Sequence, residues 1–454
     1  MATQVEIKVD TPKTIRFIRG YPLVGNLPDF RNDRLGLLRR MVRESDVCGM
    51  HFGPFPGILF NKPEHIHSIL VEHAYDFDKG LAVHNTFRPV IGDGILSSEG
   101  DFHRRQRKLM SPPFQPRHIA SYAEIMGQYG EQIQQIWADG SIIDVNRQMT
   151  NLTMSIIGKA LFDADVFTEI DELGVAMTVT TEYVAHATSV LFPPPYNWPL
   201  PRNRRTHKAV RVLRDYIQHF IDERRNCPTE RNDLLSILLQ ARDEDGKPIS
   251  DEQLMAECLT LFGAGHETTA TALSWTWYLL CQHPEIYQKV QLEVESILQG
   301  RTPTYEDLAR LPYCLQVFKE AMRLYPPAYL LSRRALCEVE IDGYQIPKNR
   351  VVLYAPYTLH RREEYFPEPE KFDPERFIPE REKQLPRYAY LPFGAGPRIC
   401  IGMYFAMMEG HLLLATLAQR VNFSLVPGQT IVPDPIHHLT LRPGGELKVL
   451  VKRR

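Results

Sequence analysis

The chain is short of several features that would point to a function class. It has no surplus of positive charge: 53 Lys+Arg stand against 55 Asp+Glu over 454 residues, a formal net charge of -2. A nucleic-acid binder shows a basic excess or stripe, so no nucleic-acid partner is expected. It has no apolar run approaching the ~20 residues that cross a bilayer. The most apolar stretch, Leu273 to Cys281, is interrupted by Ser274 and Thr276 and reads as buried helix. The start, Met1 to Lys13, is polar and mixed in charge, unlike a signal peptide or an anchor. A cytoplasmic chain without a transmembrane anchor is the expectation. Cysteines are few and scattered: Cys48, Cys227, Cys258, Cys281, Cys314, Cys337 and Cys400 are odd in number and contain no Cys-x-x-Cys pair. That excludes a disulfide framework, so most are inert core thiols. Repeats, low-complexity linkers and composition breaks are also missing.

What is present is an ordinary globular composition, 43% hydrophobic and 24% charged, enough for a real core. Prolines outnumber glycines, 35 to 27, which predicts many rigid turns. After a proline-punctuated segment, Tyr21 to Pro28, short helical and strand-like pieces alternate. From about Ser141 to Gly300 helical periodicity dominates, broken by the loop Phe192 to Pro201 with its prolines and aromatics. Ser250 and Gln253 have capping-box spacing and open a helix that runs to about His283. At roughly 30 residues it is long enough to cross a whole domain. Beyond Pro326 strands and loops take over, at Val339 to Tyr354, before a last apolar helix from about Ile401 to Arg420. The simplest reading is one mainly α domain with a minor β portion spanning residues 1–454, its first 20 residues loosely ordered.

One cysteine has neighbours of chemical interest. Phe393-Gly394-Ala395-Gly396-Pro397-Arg398-Ile399-Cys400-Ile401-Gly402 precedes the last helix. Glycines at 394, 396 and 402 permit close backbone approach to something flat, or positive φ. A cysteine at a helix N-terminus feels the positive end of the dipole, which favours thiolate, and Arg398 adds a nearby cation. A lone cysteine could equally be a buried structural thiol. The whole string decides more. It resembles the Phe-Gly-x-Gly-x-Arg-x-Cys-x-Gly haem loop of the cytochrome P-450 family, a match expected by chance on the order of once in 10⁵ chains. The resemblance continues through Phe405, Ala406 and Glu409. It implies the triangular fold of that family, with haem b between the long helix and the cysteine loop. Cys400 would be the axial thiolate, Arg398 a propionate contact, and Phe393, Gly394, Gly402 and Ala264 neighbours of the cofactor. Thiolate ligation favours O–O cleavage.

Ala264-Gly265-His266-Glu267-Thr268-Thr269 lies midway along the long helix. By local rules Gly265 is a weak point, and Thr268 can return its hydroxyl to a carbonyl one turn back, so a kink beside a buried acid is one reading. An acid next to a hydroxyl can also move protons to O2. The hexapeptide looks like the family's oxygen-activating segment, which implies that Thr268 takes part in oxygen activation and Glu267 relays protons. His266 is a neighbour rather than a ligand. Glu320 and Arg323, three apart on a helix, are by themselves an ordinary surface pair. Resemblance joins them to Arg376, of Pro374-Glu375-Arg376-Phe377, in a structural ion network. It likewise implies propionate contacts for His103, Arg107 and Arg333, with His103 standing where many relatives carry Trp.

Substrate-facing candidates by the same resemblance are Phe87, Ile95, Leu261, Ala264, Ala328, Leu331, His437 and Leu439. They are mostly apolar, so the expected substrate is lipophilic: a fatty acid, terpenoid or steroid-like molecule. The family implies a monooxygenase that uses O2, taking electrons from NAD(P)H through a separate ferredoxin or flavodoxin with its reductase. Neither a fused reductase nor an oligomer is expected. Arg104, Arg105 and Lys108 are candidate contacts for the donor. A peroxide-driven or isomerising haem-thiolate enzyme is the alternative within the same family, and a haem-binding sensor or carrier the alternative outside enzymes.

Overall fold

The computed structural model describes residues 12–165, 170–190, 192–226, 231, 233–243 and 246–454; Cys227 and residues 1–11 lie outside this set. The chain folds as a mainly helical body with a six-stranded sheet along one side. Nine helices matter here. They are α1 (Arg34–Glu44), α2 (Gly100–Met110), α3 (Val145–Phe162), α4 (Ile170–Thr188), α5 (Pro201–Asn226), α6 (Asp251–Gln282), α7 (Pro284–Leu298), α8 (Pro312–Leu324) and α9 (Met403–Arg420). The main sheet contains β1 (Arg16–Phe17), β2 (Val47–Phe52), β3 (Phe55–Phe60), β4 (Phe77–Asp78), β5 (Leu331–Ala335) and β6 (Val351–Tyr354), in the order β1-β2-β3-β6-β5-β4.

The segment before β1 is not loose where it is described. Arg16 and Phe17 pair in parallel with Cys48 and Gly49, and the Lys13 backbone N–H donates to Gly343 O. Backbone groups that join a ladder are satisfied there, which fixes the segment despite its polar composition.

The 32-residue helix α6 forms for reasons visible in its ends and its middle. The Ser250 hydroxyl accepts from the Gln253 N–H at 3.3 Å, and Asp251 and Glu252 place negative charge on the positive end of the helix dipole. From Leu254 to Phe262 every residue is buried, so the helix is enclosed on all sides rather than laid on a surface. Pro284 ends it and opens α7 at a position where its missing N–H costs nothing.

Helix α6 stays continuous through Gly265. A Cβ there would lie 2.9 Å from Ile157 Cγ1 on α3, so the glycine admits a close helix crossing rather than a kink. At the same crossing the Thr153 hydroxyl donates to His266 O at 2.9 Å. Further along, Trp275 is fully buried, stacks on Tyr325 with centroids 3.8 Å apart, and donates its indole N–H to Leu441 O at 2.6 Å. These contacts hold α6 rigid against α3 and the C-terminal segment, and so fix the register of the residues facing the site.

Candidate active site

The loop before α9 is shaped by its glycines. Gly396 has φ +67, and a Cβ on it would fall 1.8 Å from Leu70 O, so no other residue fits without moving the neighbouring backbone. Gly402 is different: its φ is -87 and a Cβ would meet nothing closer than Phe114 at 4.0 Å. Protein packing therefore does not demand glycine at 402. The Cys400 N–H donates to Phe393 O at 2.9 Å and closes the loop. Helix α9 starts at Met403, two residues later than the sequence pattern predicts, with Gly402 as its cap.

Cys400 is enclosed by the protein, yet its side chain is open to solvent-sized space, so it borders an internal space. Burial pushes its thiol up from the ordinary value, while the Gly402 N–H and Arg107 pull it down. Burial outweighs the helix-end effect, so without a bound cation the thiol keeps its proton. Binding iron would release it.

Around this loop basic side chains converge. His103 is buried on α2 and is pushed down to about 3 by burial, then by Arg398, Lys79 and Arg107, so it is a neutral hydrogen-bonding ring. Arg107 donates from Nη1 to Ile399 O at 2.6 Å. Arg398 donates to Ser98 O at 2.7 Å and is paired with Glu99. Arg333, on β5, is buried and donates to Ser332 O at 2.8 Å. Lys79 belongs to none of the motifs in the sequence. It is pushed down to about 7 by burial, then by Arg398 and Arg333, with Glu99 pulling it back up. Its Nζ donates to Leu96 O. Lys79, Arg107, Arg333 and Arg398 thus share this region with Glu99 and the neutral His103 ring, an unfavourable arrangement until further anions arrive. No sequence spacing relates Lys79 to Arg398; β4 and the loop simply end at the same place.

Glu320, Arg323 and Arg376 lie together. Glu320 and Arg323 are fully buried on α8 and joined by two hydrogen bonds, Nε to Oε2 at 2.7 Å and Nη2 to Oε1 at 2.8 Å. Arg376 Nε approaches Glu320 Oε1 at 3.4 Å. Arg323 also donates to His360 O, Pro369 O and Lys371 O. Burial pushes the Glu320 carboxyl up, and Arg323 draws it back. This is a clamp across three chain segments, not a solvated surface pair.

On the other side lies a cavity of about 610 Å³, bordered by α6, α4, β5 and the loop after α8. Helix α6 presents Leu259, Thr260, Gly263, Ala264, Glu267 and Thr268 to it. The Thr268 hydroxyl donates to Ala264 O at 2.9 Å, and Glu267 Oε1 accepts from Thr440 at 2.8 Å. Phe87, Ala328, Leu331 and Leu439 line the cavity as well. Three candidates do not. Leu261 is packed into the core because the helical period gives the cavity face to residues 259/260, 263/264 and 267/268. Ile95 is buried in the same core, its N–H donating to Glu257 Oε2 at 2.9 Å. His437 points outward, its side chain 76% exposed and bonded to Asp434 at 2.9 Å, while its neighbour His438 lines the cavity instead. His266 turns away, with Nδ1 on Phe262 O at 2.8 Å. The loop aromatics Phe192 and Trp198 are exposed, at 71% and 55%, rather than facing substrate space.

A model of the cytochrome P450 family matches residues 16–451. The chain belongs to the cytochrome P450 family. This P450 is 37% identical to cyclooctatin synthase of Streptomyces melanosporofaciens, over 93% of each chain. It is 35% identical to cyclooctat-9-en-7-ol 5-monooxygenase of the same organism, over 90% of this chain and 89% of the relative. Against pentalenene oxygenase of Streptomyces avermitilis the identity is 30%, over 91% and 92%. Among solved structures, the retinoic acid bound cyanobacterial CYP120A1 superposes with a TM-score of 0.86 and 26% identity, covering 98% of this chain and all of that one. The P450 is accordingly a monooxygenase, an oxidoreductase whose chemistry uses haem and O2. Among the described residues no helix is long and apolar enough to cross a membrane.

The donor set fits haem. Cys400 offers a thiol to an internal space, and Lys79, His103, Arg107, Arg333 and Arg398 offer donors that match a group carrying carboxylates.

Proposed function

We propose that this P450, as a single haem domain, inserts one atom of O2 into a lipophilic terpenoid, with electrons passed from NAD(P)H through a ferredoxin or flavodoxin and its reductase. The observation that carries this reading is the cavity of about 610 Å³, walled by side chains such as Phe87, Val90, Ile91 and Leu331, which reaches the Ala264–Thr268 segment. Pentalenene oxygenase and cyclooctat-9-en-7-ol 5-monooxygenase are named for oxidising molecules of this kind.

Cys400 would ligate the iron, and Arg398, His103, Arg107, Arg333 and Lys79 would hold the propionates. Haem so bound supplies oxygen reduction and transfer. The chain's own share is to move protons and exclude water. Thr268 carries a hydroxyl at the cavity wall, held by Ala264 O, and Glu267 carries a carboxylate beside it, held by Thr440. Together they can hand a proton to the cavity at a defined place. The exposed basic residues Arg104 and Arg105 on α2 supply charge for a donor protein on the Cys400 side, although Arg104 already pairs with Asp101.

The test is Thr268→Ala in a system reconstituted with NAD(P)H, a ferredoxin and its reductase. Reductant use should continue while product per reductant falls, by about 10²-fold or more for loss of one proton-transfer group. Unchanged coupling removes Thr268 from the chemistry. Equal product from peroxide alone, in wild type and variant, overturns the electron-driven reading. Lys79→Met should release haem to an apomyoglobin acceptor on the order of tenfold faster, as for loss of one charge-assisted bond. An unchanged release rate would take Lys79 out of the propionate set.

A further inference from the structure

One cation on the cavity wall stands apart from the cluster around Glu99. Arg34, the first residue of α1, lines the cavity and is 7% exposed. Its guanidinium donates from Nε to Phe30 O at 3.1 Å and from Nη1 to the Tyr329 hydroxyl at 2.6 Å and Pro435 O at 2.7 Å. From Nη2 it donates to the Ser189 hydroxyl at 2.8 Å. The Phe30 ring lies 4.1 Å from the guanidinium carbon.

All four acceptors are neutral, and among the described residues no Asp or Glu forms an ion pair with Arg34. Asp434 is the acid in that quarter, and its oxygens are taken by the N–H groups of Ile436 and His437 and by His437 Nδ1. A guanidinium has five N–H donors, so one on Nη2 is left over. A buried arginine normally faces a carboxylate, because taking its charge out of water is costly and neutral acceptors recover only part of that cost. The four bonds also fix the group: they reach the short helix Leu27–Asn32 before α1, the Tyr329 segment, the Pro435 loop and the end of α4. It is a donor held in place on a cavity wall that is otherwise largely apolar.

We propose that Arg34 anchors the carboxylate of a lipophilic acid, whose hydrocarbon then runs along the cavity toward Ala264 and Thr268. This rests on the reading of the protein as a monooxygenase of lipophilic molecules and narrows its substrate to an acid. A carboxylate matches the guanidinium in charge and can accept from the N–H left over on Nη2, whereas an alcohol or ester would leave the charge unbalanced. The oxidised carbon is then remote from the acid end.

The experiment is calorimetric titration of the haem-loaded protein with farnesoic acid, its methyl ester and farnesol. Wild type should bind the acid with a Kd at least about tenfold below that of the ester or the alcohol, a difference of about 1.4 kcal/mol. Arg34→Gln should bring the three within about twofold, and Arg34→Lys should keep the acid preferred. Equal binding of acid and ester by wild type overturns the proposal, as does an acid preference that survives Arg34→Gln. If Arg34→Gln fails to fold, judged by its ferrous–CO spectrum, the wild-type series and Arg34→Lys decide. Acid-selective binding with no oxygenated product would count against the monooxygenase reading alone. Oxygenation without any acid preference would count against Arg34 alone.

Discussion

Cys400→Ala is expected to fold but to lose both the strongly red-shifted Soret band of its ferrous–CO complex and its oxygenase activity. Changes to groups one shell out from a metal typically cost about 10–100-fold, so removing the ligand itself should cost more than 100-fold. The other described thiols offer no substitute. Cys48, Cys258 and Cys314 are buried, and burial pushes Cys48 up to about 11 and Cys281 up to about 12. Cys258 and Cys314 are pushed higher still. Cys337 is open to solvent, but it sits beside Asp76 rather than on the internal space. The removed side chain is small and borders that space, so the fold itself should survive. A red-shifted CO band that persists in Cys400→Ala would show that another residue ligates the iron.

Arg323→Met is expected to have the largest effect on stability. The substitution strands Glu320, which is fully buried, and leaves the carbonyls of His360, Pro369 and Lys371 each short of a donor. Breaking a buried ion pair by removing one partner costs about 3–5 kcal/mol, because the remaining charge has nowhere to go. Arg376 reaches the same carboxylate at 3.4 Å and can offset only part of that. The checks are the melting temperature of the holoprotein and the yield of haem-loaded material. Both should fall sharply, and Glu320→Gln combined with Arg323→Met should recover part of the loss, since the stranded charge is then gone. If Arg323→Met melts like wild type, the clamp is not what holds α8 to the loop that follows it.

Several features are legible in the sequence because they reside in neighbouring residues. The start of α6 follows from Ser250 and the acids after it, its end from Pro284. The Phe393–Gly402 string identifies the loop and singles out Cys400 from seven cysteines. The Glu320–Arg323 spacing puts both charges on one face of α8, although nothing local says that this face is buried.

The absences with which the sequence begins hold their meaning to different degrees. Balanced charge and scattered cysteines are properties of the chain itself, so the expectations about partners and disulfides needed no fold. Which side chains face one space is different, because it depends on distances between segments far apart in the chain. Helical phase moved Leu261 into the core, a turn exchanged His437 for His438, and α1 brought Arg34 to Tyr329, 295 positions away. Lys79 meets Arg398 in the same way. The long helices, the loop and the chemical identity of its cysteine rest on local backbone preferences and on a contiguous motif, and so are written in the order of residues. Only tertiary packing decided which cations gather around one site and which one faces the cavity without a counter-charge, because burial and electrostatic pairing are set by neighbours in space.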